Sequence, residues 1–309
     1  MTQSNITRNG LKAWVLAARP KTLAGAAVPL MMALSLAWSD LYALTGEVFC
    51  LKAVPAVLCV LFAFVMQIDA NFINDYFDFR RGTDNEERLG PERACAQGWV
   101  SPTAMLWAIA ATTLTAALIG MPLIFYGGTT MFWVGLACVV FCFLYTLVMS
   151  YVGLGDLLVL VFFGLVPVCA TYYLQTLTLT KPVVLSSIAC GMVIDTLLVV
   201  NNYRDRASDR KAGKRTLVVL IGEKATELLY FGLGLAAFHM GLTFFFSGRW
   251  LTFFLPTFYL MLHARTYRKM KRIHEGRELN VVLGENARNM FIYGLLFSAG
   301  VIADRLLFP

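Results

Sequence analysis

One stretch of the sequence places acidic and amide side chains at the spacing of a single helix face. Gln67, Asn71, Asn74, Asp75 and Asp78 follow one another at intervals of three and four residues, with one adjacent pair. Residues three and four apart are neighbours on an α-helix, so the spacing predicts a polar, acidic face. The stretch closes a long apolar run, and carboxylates near membrane depth are costly unless they are paired or bind a ligand. These residues therefore mark a candidate functional site.

A second stretch repeats the pattern later in the chain. Asn201, Asp205 and Asp209 recur every four residues, and Asn202 lies beside them. Asp195 precedes them on the same predicted helix and points roughly the same way. Both stretches end an apolar run and lead through Asp, Arg and Gly residues to the next run, which indicates an internal pseudo-repeat.

The chemistry of these side chains favours a metal-bound anion. Hard oxygen ligands suit Mg²⁺, which takes one or two carboxylates together with phosphate oxygens and water. The same segments carry the cations Arg88, Arg93, Lys214 and Arg215. Two acidic clusters that face each other among such cations would enclose a small, highly charged anion, and a diphosphate fits. The apolar runs alongside would accommodate a long hydrocarbon tail.

Two other interpretations of the motifs stay open at this point. The acids could be helix-end caps and solvated loop charges, which suits a single Asp better than two matched motifs. They could instead line a cation channel or transporter, since acidic rings also line pores. That alternative explains the carboxylates but not the many arginines and lysines in the same segments.

The elements that must position these residues are membrane-spanning helices. Of the 309 residues, 58% are apolar and 15% charged, whereas soluble domains have about 25% charged residues. The apolar residues cluster in runs of about twenty, the length that a helix needs to cross a bilayer. We predict a single all-α domain over residues 1–309, a polytopic membrane bundle of about nine transmembrane helices. The predicted spans are roughly 22–39, 50–70, 103–122, 131–150, 156–175, 183–201, 225–246, 250–264 and 290–308.

The basic residues predict the orientation of this bundle. All but four of the 26 lysines and arginines fall in the N-terminal arm or in segments 71–102, 202–224 and 265–289. Nine spans place these four regions on one side, which the positive-inside rule assigns to the cytoplasm. The N-terminus and the candidate site are therefore expected at the cytoplasmic face. The net charge of +7 then reflects topology, and no loop is long enough to form a nucleic-acid-binding domain.

At these motifs the chain resembles the UbiA superfamily of membrane prenyltransferases, and within it the branch that acts in menaquinone synthesis. The first family motif corresponds to Asn74-Asp75-x-x-Asp78, and the second to the segment from Asn201 to Asp209. The extension between Gly82 and Arg93 and the entry segment Arg19-Pro20-Lys21 also match. The similarity covers most of residues 13–224 and is thinner from residue 225 onward.

The resemblance implies transfer of a polyprenyl chain from a polyprenyl diphosphate to 1,4-dihydroxy-2-naphthoate, with loss of CO₂ and diphosphate, giving demethylmenaquinone. It implies Mg²⁺ as cofactor and a multi-pass protein in the cell inner (cytoplasmic) membrane. The residues assigned to catalysis and metal binding are Asp75 and Asp78 for one ion and Asp205 and Asp209 for a second. The residues assigned to substrate binding are Asn71, Asn74, Arg88, Arg93, Tyr145, Asn202, Arg204, Lys214 and Arg215. Tyr76, Tyr145 and Tyr203 are candidates to stabilise an allylic cation.

The sequence departs from the family pattern at two places. The fourth acid of the first motif would fall at Gly82, and its counterpart here is Asp84. The loop after Tyr145 lacks the usual Gly and Pro residues, and Asp156 stands where we expect Glu. These changes bear on the acceptor rather than on the diphosphate.

The acceptor is therefore the least determined part of the assignment. Prenylation of 4-hydroxybenzoate or another aromatic acid is the alternative within the superfamily, and a divalent-cation transporter is the alternative from another class. The sequence does not determine the prenyl chain length or the oligomeric state. His263 and His274 fall at the predicted cytoplasmic boundary, where we expect solvated side chains.

Overall fold

The computed structural model describes residues 6–82 and 88–308, which form a bundle of helices. We number the helices in chain order. They are α1 (Leu11–Ala18), α2 (Leu23–Thr45), α3 (Ala53–Arg81), α4 (Pro102–Gly127), α5 (Thr129–Leu147), α6 (Gly155–Thr176), α7 (Lys181–Lys211), α8 (Leu217–Ile221), α9 (Glu223–Phe246), α10 (Trp250–Phe254), α11 (Thr257–Ile273) and α12 (Leu279–Leu307).

The predicted helical membrane bundle is confirmed, with one change in the count of continuous spans. In the described part of the chain, eight helical stretches are long and apolar enough to cross a membrane. The predicted span 250–264 is instead two helices, α10 and α11, separated at Pro256. Proline has no N–H to donate and interrupts a helix, which accounts for the break. The second piece, α11, continues to Ile273 and is rich in cations.

The four basic regions of the chain meet at one end of the bundle, which we call the basic end. The Asn9 side chain accepts a hydrogen bond from the N–H of Ser101 (3.0 Å), and Asn280 donates to the carbonyl oxygen of Leu89 (2.8 Å). Arg204, which follows α7's apolar run, donates a hydrogen bond to the side chain of Asn280 (2.8 Å) and so joins segment 202–224 to segment 265–289. All four regions therefore lie together, as the predicted topology requires.

Helix α7 forms the centre of the bundle, whereas α4 and α5 lie at its edge. In the most apolar window of α7, 67% of the residues are buried, against 17% for α4 and 11% for α5. Most exposed residues of α4 and α5 are apolar, as the lipid-facing surface of a membrane helix requires. The acids at the ends of α3 and α7 point to the interior rather than to lipid, since Asp75 is 1% and Asp209 9% exposed.

Helices α6 and α7 cross with their backbones in direct contact. A Cβ atom on Gly164 would lie 2.5 Å from the Ser187 carbonyl oxygen, and one on Gly191 would lie 2.8 Å from that of Leu160. Small residues allow such close approach between membrane helices. The crossing coincides with a π-helical stretch of α6, Leu160–Leu165. It fixes where the polar residues at the basic end of α6 meet those of α7.

The expectation that His263 is solvated is wrong. His263 is 0% exposed, and its ring stacks on Tyr230 with centroids 4.5 Å apart. Its Nε2 lies 3.1 Å from the Tyr230 carbonyl oxygen, and its Nδ1 lies 3.3 Å from the Tyr259 hydroxyl. Gly234 leaves the space that this ring occupies. His274, by contrast, is half exposed and pairs with Glu223.

Candidate functional site

Asp75, the first acid of the first motif, binds the backbone of the loop that follows its helix. It is 1% exposed, and its two oxygens accept hydrogen bonds from the N–H groups of Ala94 (2.9 Å) and Cys95 (2.8 Å). A carboxylate that accepts two amide hydrogen bonds holds the segment that donates them, because buried N–H groups are costly without an acceptor. Asp75 therefore fixes the loop of residues 89–100.

Asp78 faces a cation that this loop delivers. Arg93 Nη2 lies 3.3 Å from Asp78 Oδ2, and the side chains are 8% and 22% exposed. Asp78 also lies within electrostatic range of Lys214, which belongs to the second motif's segment. The last residue of α3, Arg81, donates hydrogen bonds to the carbonyl oxygens of Thr146 and Leu147, at the end of α5.

In the second motif, Asp205 is held by its neighbour Arg204. The guanidinium donates two hydrogen bonds to the carboxylate, at 2.8 and 2.5 Å, and further ones to Asn201 (2.9 Å) and Asn280 (2.8 Å). Such a bidentate pair fixes orientation as well as charge. Arg204 is 2% exposed, so its predicted role in phosphate binding would require it to exchange these partners.

Asp209 is the acid of the second motif with an oxygen still available. Its Oδ1 lies 3.6 Å from the ammonium of Lys214. Its Oδ2 is buried and has no hydrogen-bond partner among the described residues. A buried carboxylate oxygen without a partner is costly, so this atom is a strong candidate to bind a ligand.

The two motifs are linked at the basic end by Tyr151, in the loop between α5 and α6. The guanidinium of Arg81 lies 4.6 Å and the ammonium of Lys214 5.7 Å from the centre of its ring. Its carbonyl oxygen accepts a hydrogen bond from the N–H of Arg215 (3.0 Å). A second link is Gly90, where a Cβ atom would lie 2.8 Å from Arg204 Nη2. Residues that flank the two motifs therefore lie close together at the basic end.

A small cavity lies where α5, α6 and α7 meet at the basic end. Its volume is about 10 Å³, close to what one water molecule needs. It is lined by Tyr145, Ser150, Gly155, Asp156, Asn202, Lys214 and Thr216. The cavity therefore joins two predicted substrate-binding residues of different helices, Tyr145 and Asn202, to the Lys214 partner of Asp209.

The pairing of Asp156 with Asp195 was not predicted from the sequence. Both are buried, 7% and 4% exposed, and each has one oxygen without a hydrogen-bond partner in the described structure. They interact electrostatically with each other, and Tyr145 lies within range of both. Their positions inside apolar spans could have identified them from the sequence, since ionisable residues in membrane helices mark functional sites.

The other predicted site residues fall into two groups. Asn74 accepts a hydrogen bond from Thr146 (2.6 Å), and Arg88 donates one to the Pro91 carbonyl oxygen (2.9 Å), so both lie at the basic end near the motifs. Arg215 is exposed there. Asn71 instead donates to the Ala18 carbonyl oxygen and to Thr22, both at 2.9 Å, and anchors the entry to α2.

Of the three aromatic candidates, only Tyr145 lines the cavity. Tyr203 is fully buried, its hydroxyl bonds Glu227 (3.1 Å), and Arg206 covers its ring (4.3 Å), so it faces α9. Tyr76 packs edge-on against Phe77. Helical spacing alone could not separate these three environments.

The donor set of the two motifs fits Mg²⁺. Across residues 6–82 and 88–308, no three His, Cys, Asp or Glu side chains form a ready-made metal-binding group. Mg²⁺ does not require one, because it keeps several waters and takes few carboxylates when phosphate is present. Asp78, Asp205 and Asp209 offer carboxylate oxygens, and the unpartnered Oδ2 of Asp209 is the clearest single position. Asp75 fits less well, because it is 1% exposed and both of its oxygens accept amide hydrogen bonds. Asp205 also accepts two hydrogen bonds, from Arg204, but its side chain is 21% exposed.

Gly82 explains one departure from the family pattern. It ends α3 with φ +70°, a left-handed conformation that side chains other than glycine adopt at a cost. An acid at this position would therefore be strained. Asp84, the predicted counterpart, lies outside the described residues.

The sequence profile of the UbiA prenyltransferase family matches residues 22–297, which include both motifs. This chain belongs to the UbiA prenyltransferase family. It is 35% identical over 232 residues to the 1,4-dihydroxy-2-naphthoate octaprenyltransferase of Haemophilus influenzae, covering 72% of this chain and 73% of that one. It is 33% identical over 296 residues to the Mycobacterium tuberculosis enzyme of the same name, covering 94% and 96%. The resemblance to this branch of the UbiA family is confirmed.

Solved UbiA structures share the fold of this family member. A UbiA homolog from Aeropyrum pernix superimposes with a TM-score of 0.68 at 14% identity, covering 93% of this chain and 98% of that one. A homolog from Archaeoglobus fulgidus bound to DMAPP and Mg²⁺ gives 0.65 at 12% identity, covering 94% and 99%. The prenyltransferase fold is therefore retained over nearly the whole length of the chain.

Proposed function

We propose that this protein is a Mg²⁺-dependent 1,4-dihydroxy-2-naphthoate polyprenyltransferase of menaquinone synthesis. It transfers a polyprenyl chain from polyprenyl diphosphate to the naphthoate ring, with loss of CO₂ and diphosphate. The product is demethylmenaquinone, formed first in its reduced state. The observation that carries the proposal is that Lys214, which lines the cavity, pairs with Asp209 of one acidic helix end and lies within electrostatic range of Asp78 of the other, in a member of this family. The names of the bacterial relatives support the choice of acceptor.

We assign the diphosphate end of the substrate to Asp78 and Asp205, whose side chains are 22% and 21% exposed, and to Asp209, whose Oδ2 has no hydrogen-bond partner among the described residues. Asp78, Asp205 and Asp209 would hold Mg²⁺, and the bound ion would supply Lewis-acid stabilisation of the charge that develops on the diphosphate. Arg93 and Lys214, now paired with Asp78 and Asp209, are positioned to donate to phosphate oxygens. Cations within reach of these acids limit their repulsion of a phosphate, because opposite charges offset each other most strongly where water is scarce.

The acceptor is assigned to the cavity side of the site. The bond between the first carbon of the prenyl chain and the diphosphate oxygen breaks and leaves an allylic cation, with the electron pair on diphosphate. The ring carbon that bears the carboxylate then forms its bond to that first carbon. The electron pair of the carboxylate bond then returns to the ring as CO₂ leaves. Tyr145 presents its aromatic ring to the allylic cation, and the unpartnered oxygen of Asp156 accepts the hydrogen bond of a ring hydroxyl. Because the cavity holds only about 10 Å³, its lining must move to admit the ring.

Turnover assays with separate acceptors test this proposal. Purified protein is incubated with a labelled polyprenyl diphosphate and with either 1,4-dihydroxy-2-naphthoate or 4-hydroxybenzoate. We expect labelled product and CO₂ only from the naphthoate, abolished by EDTA and restored by Mg²⁺. Product from 4-hydroxybenzoate alone would reassign the acceptor. Ion flux into liposomes without consumption of the diphosphate would favour a transporter and overturn the proposal.

We further propose that the protein lies in the cytoplasmic membrane with its basic end, and hence its site, facing the cytoplasm. The basis is the concentration of lysine and arginine at that end. Fusion of alkaline phosphatase to the C-terminus should then give an active reporter, and fusion after Lys211 an inactive one. The reverse pattern would place the site outside.

A further inference from the structure

A groove of about 460 Å³ lies between α11 and α12, apart from the acidic motifs. Its lining contains five cations and one carboxylate. The lining residues are Leu262, Arg265, Thr266, Arg268, Lys269, Arg272, Glu285 and Arg288. A groove of this size matches the volume of typical small-molecule sites, and its lining includes none of the residues assigned above to the prenyltransferase site.

Two contacts fix the helices on either side of the groove. Lys269 pairs with Glu285 at 2.5 Å, and Asn289 donates a hydrogen bond to Thr266 at 2.9 Å. These pairs set an antiparallel register and occupy the single carboxylate of the lining. The four arginines are consequently left to define the electrostatic character of the groove, which is strongly positive.

The arginines continue an apolar, exposed stripe on each helix. On α11, Phe258 and Met261 are 48% and 51% exposed, and Arg265, Arg268 and Arg272 follow at intervals of three and four residues on the same face. On α12, Arg288 is followed by Phe291 and Leu295, 42% and 50% exposed. Since the helices are antiparallel, both stripes change from cationic to apolar at the same end of the groove.

We propose that this groove binds the headgroup of an anionic phospholipid, with its acyl chains lying along the apolar parts of the two stripes. A free phosphate would use the arginines but would gain nothing from Phe258, Met261, Phe291 and Leu295. An amphiphile uses both. Basic pockets between membrane helices are recognised sites for anionic lipid headgroups, and Arg suits phosphate because it donates two parallel hydrogen bonds.

Native mass spectrometry of the full-length protein tests the proposal. The protein is exchanged into detergent containing equal amounts of phosphatidylglycerol and phosphatidylcholine, and the retained lipids are counted. We expect preferential retention of phosphatidylglycerol, reduced at least about tenfold in Arg265→Gln/Arg268→Gln/Arg272→Gln, since each cation near a membrane surface contributes roughly fivefold. The matched control, Arg8→Gln/Lys12→Gln/Lys224→Gln, also removes three exposed charges from the basic end and should retain the lipid.

Two further measurements test the charge dependence of lipid binding and the need for the acyl chains. Raising the salt concentration should lower retention in the unmodified protein, because salt screens exposed charges; this requires no variant to fold. In a separate arm, inorganic phosphate replaces the lipid. Equal retention by the two triple variants would overturn the proposal, as would binding of inorganic phosphate at the arginines with no preference for phosphatidylglycerol. Because this site lies outside the prenyltransferase site, neither result depends on the proposed acceptor.

Discussion

The two acidic motifs are alike in sequence but differ in how they use their first acid. In the first motif, Asp75 is buried and accepts two backbone hydrogen bonds from residues 94 and 95. In the second, Asp205 is held by a side chain, the guanidinium of Arg204. In both, the second acid faces a cation: Arg93 for Asp78 and Lys214 for Asp209.

This difference indicates a division of labour between the motifs. In the first motif, Asp75 holds the loop that carries Arg93 to the site. The second uses Arg204 to tie its helix to Asn280 and to lie against Gly90 of that same loop. Similar spacing therefore does not imply equal roles: the first acid binds backbone amides in one motif and a guanidinium in the other.

The largest effect is expected at Asp209. Asp209→Asn removes the charge of the oxygen best placed to bind Mg²⁺, so kcat/KM should fall by about 10³-fold. The concentration of Mg²⁺ that gives half-maximal activity should rise. Ser208→Ala, an exposed neighbour on the same helix, is the control and should behave as the unmodified protein. Unchanged Mg²⁺ dependence in Asp209→Asn would contradict the assignment.

Asp75→Asn should also impair activity, by about 100-fold, but for a structural reason. The amide cannot accept both backbone hydrogen bonds, and a buried N–H left without an acceptor costs about 1–3 kcal/mol. Hydrogen exchange of peptides covering residues 89–100 should therefore accelerate. Asp78→Asn should lower activity without this change. If both variants leave the loop equally protected, the proposed division between the two acids is wrong.

A smaller effect is expected at Asp156, in the cavity between the motifs. Asp156→Asn should raise KM for the aromatic acceptor by about tenfold, the value of one hydrogen bond to a charged group. KM for the polyprenyl diphosphate should stay the same. Asp156→Glu keeps the carboxylate and should recover most of the affinity. An increase in KM for the diphosphate instead would place Asp156 on the other side of the site.

The smallest effect is expected at Tyr151, which joins the motifs. Tyr151→Leu removes the ring that Arg81 and Lys214 both contact, and kcat/KM should fall by roughly three- to fivefold. Tyr151→Phe keeps the ring and should retain full activity. If kcat/KM falls equally in both variants, the effect comes from the Tyr151 hydroxyl and not from the contact of its ring with Arg81 and Lys214.

Helical periodicity and motif spacing predicted most of the fold and the general position of the site. The acidic faces of α3 and α7 follow directly from three- and four-residue intervals. The distribution of lysine and arginine correctly predicted that four regions of the chain lie at one end of the bundle. The partners of each acid could not be predicted. The amides that bind Asp75 lie about twenty residues later in an irregular loop, and no periodic pattern identifies a backbone donor.

Contacts between helices that are far apart in the sequence could not be predicted either. Asp156 and Asp195 belong to separate spans and interact electrostatically, in helices that Gly164 and Gly191 allow to approach closely. His263 is buried because a ring-sized space opens beside Gly234. Both outcomes depend on which glycines face a neighbouring helix, and composition alone does not show this.

The contact between Gly164 and Gly191 also bears on how the protein behaves outside a bilayer. Close packing between main-chain atoms is one of the forces that hold membrane helices together. The outer helices α4 and α5 have few buried residues in their apolar windows and depend more on the membrane. In detergent, we therefore expect the α6–α7 pair to stay protected from solvent exchange after α4 and α5 have loosened.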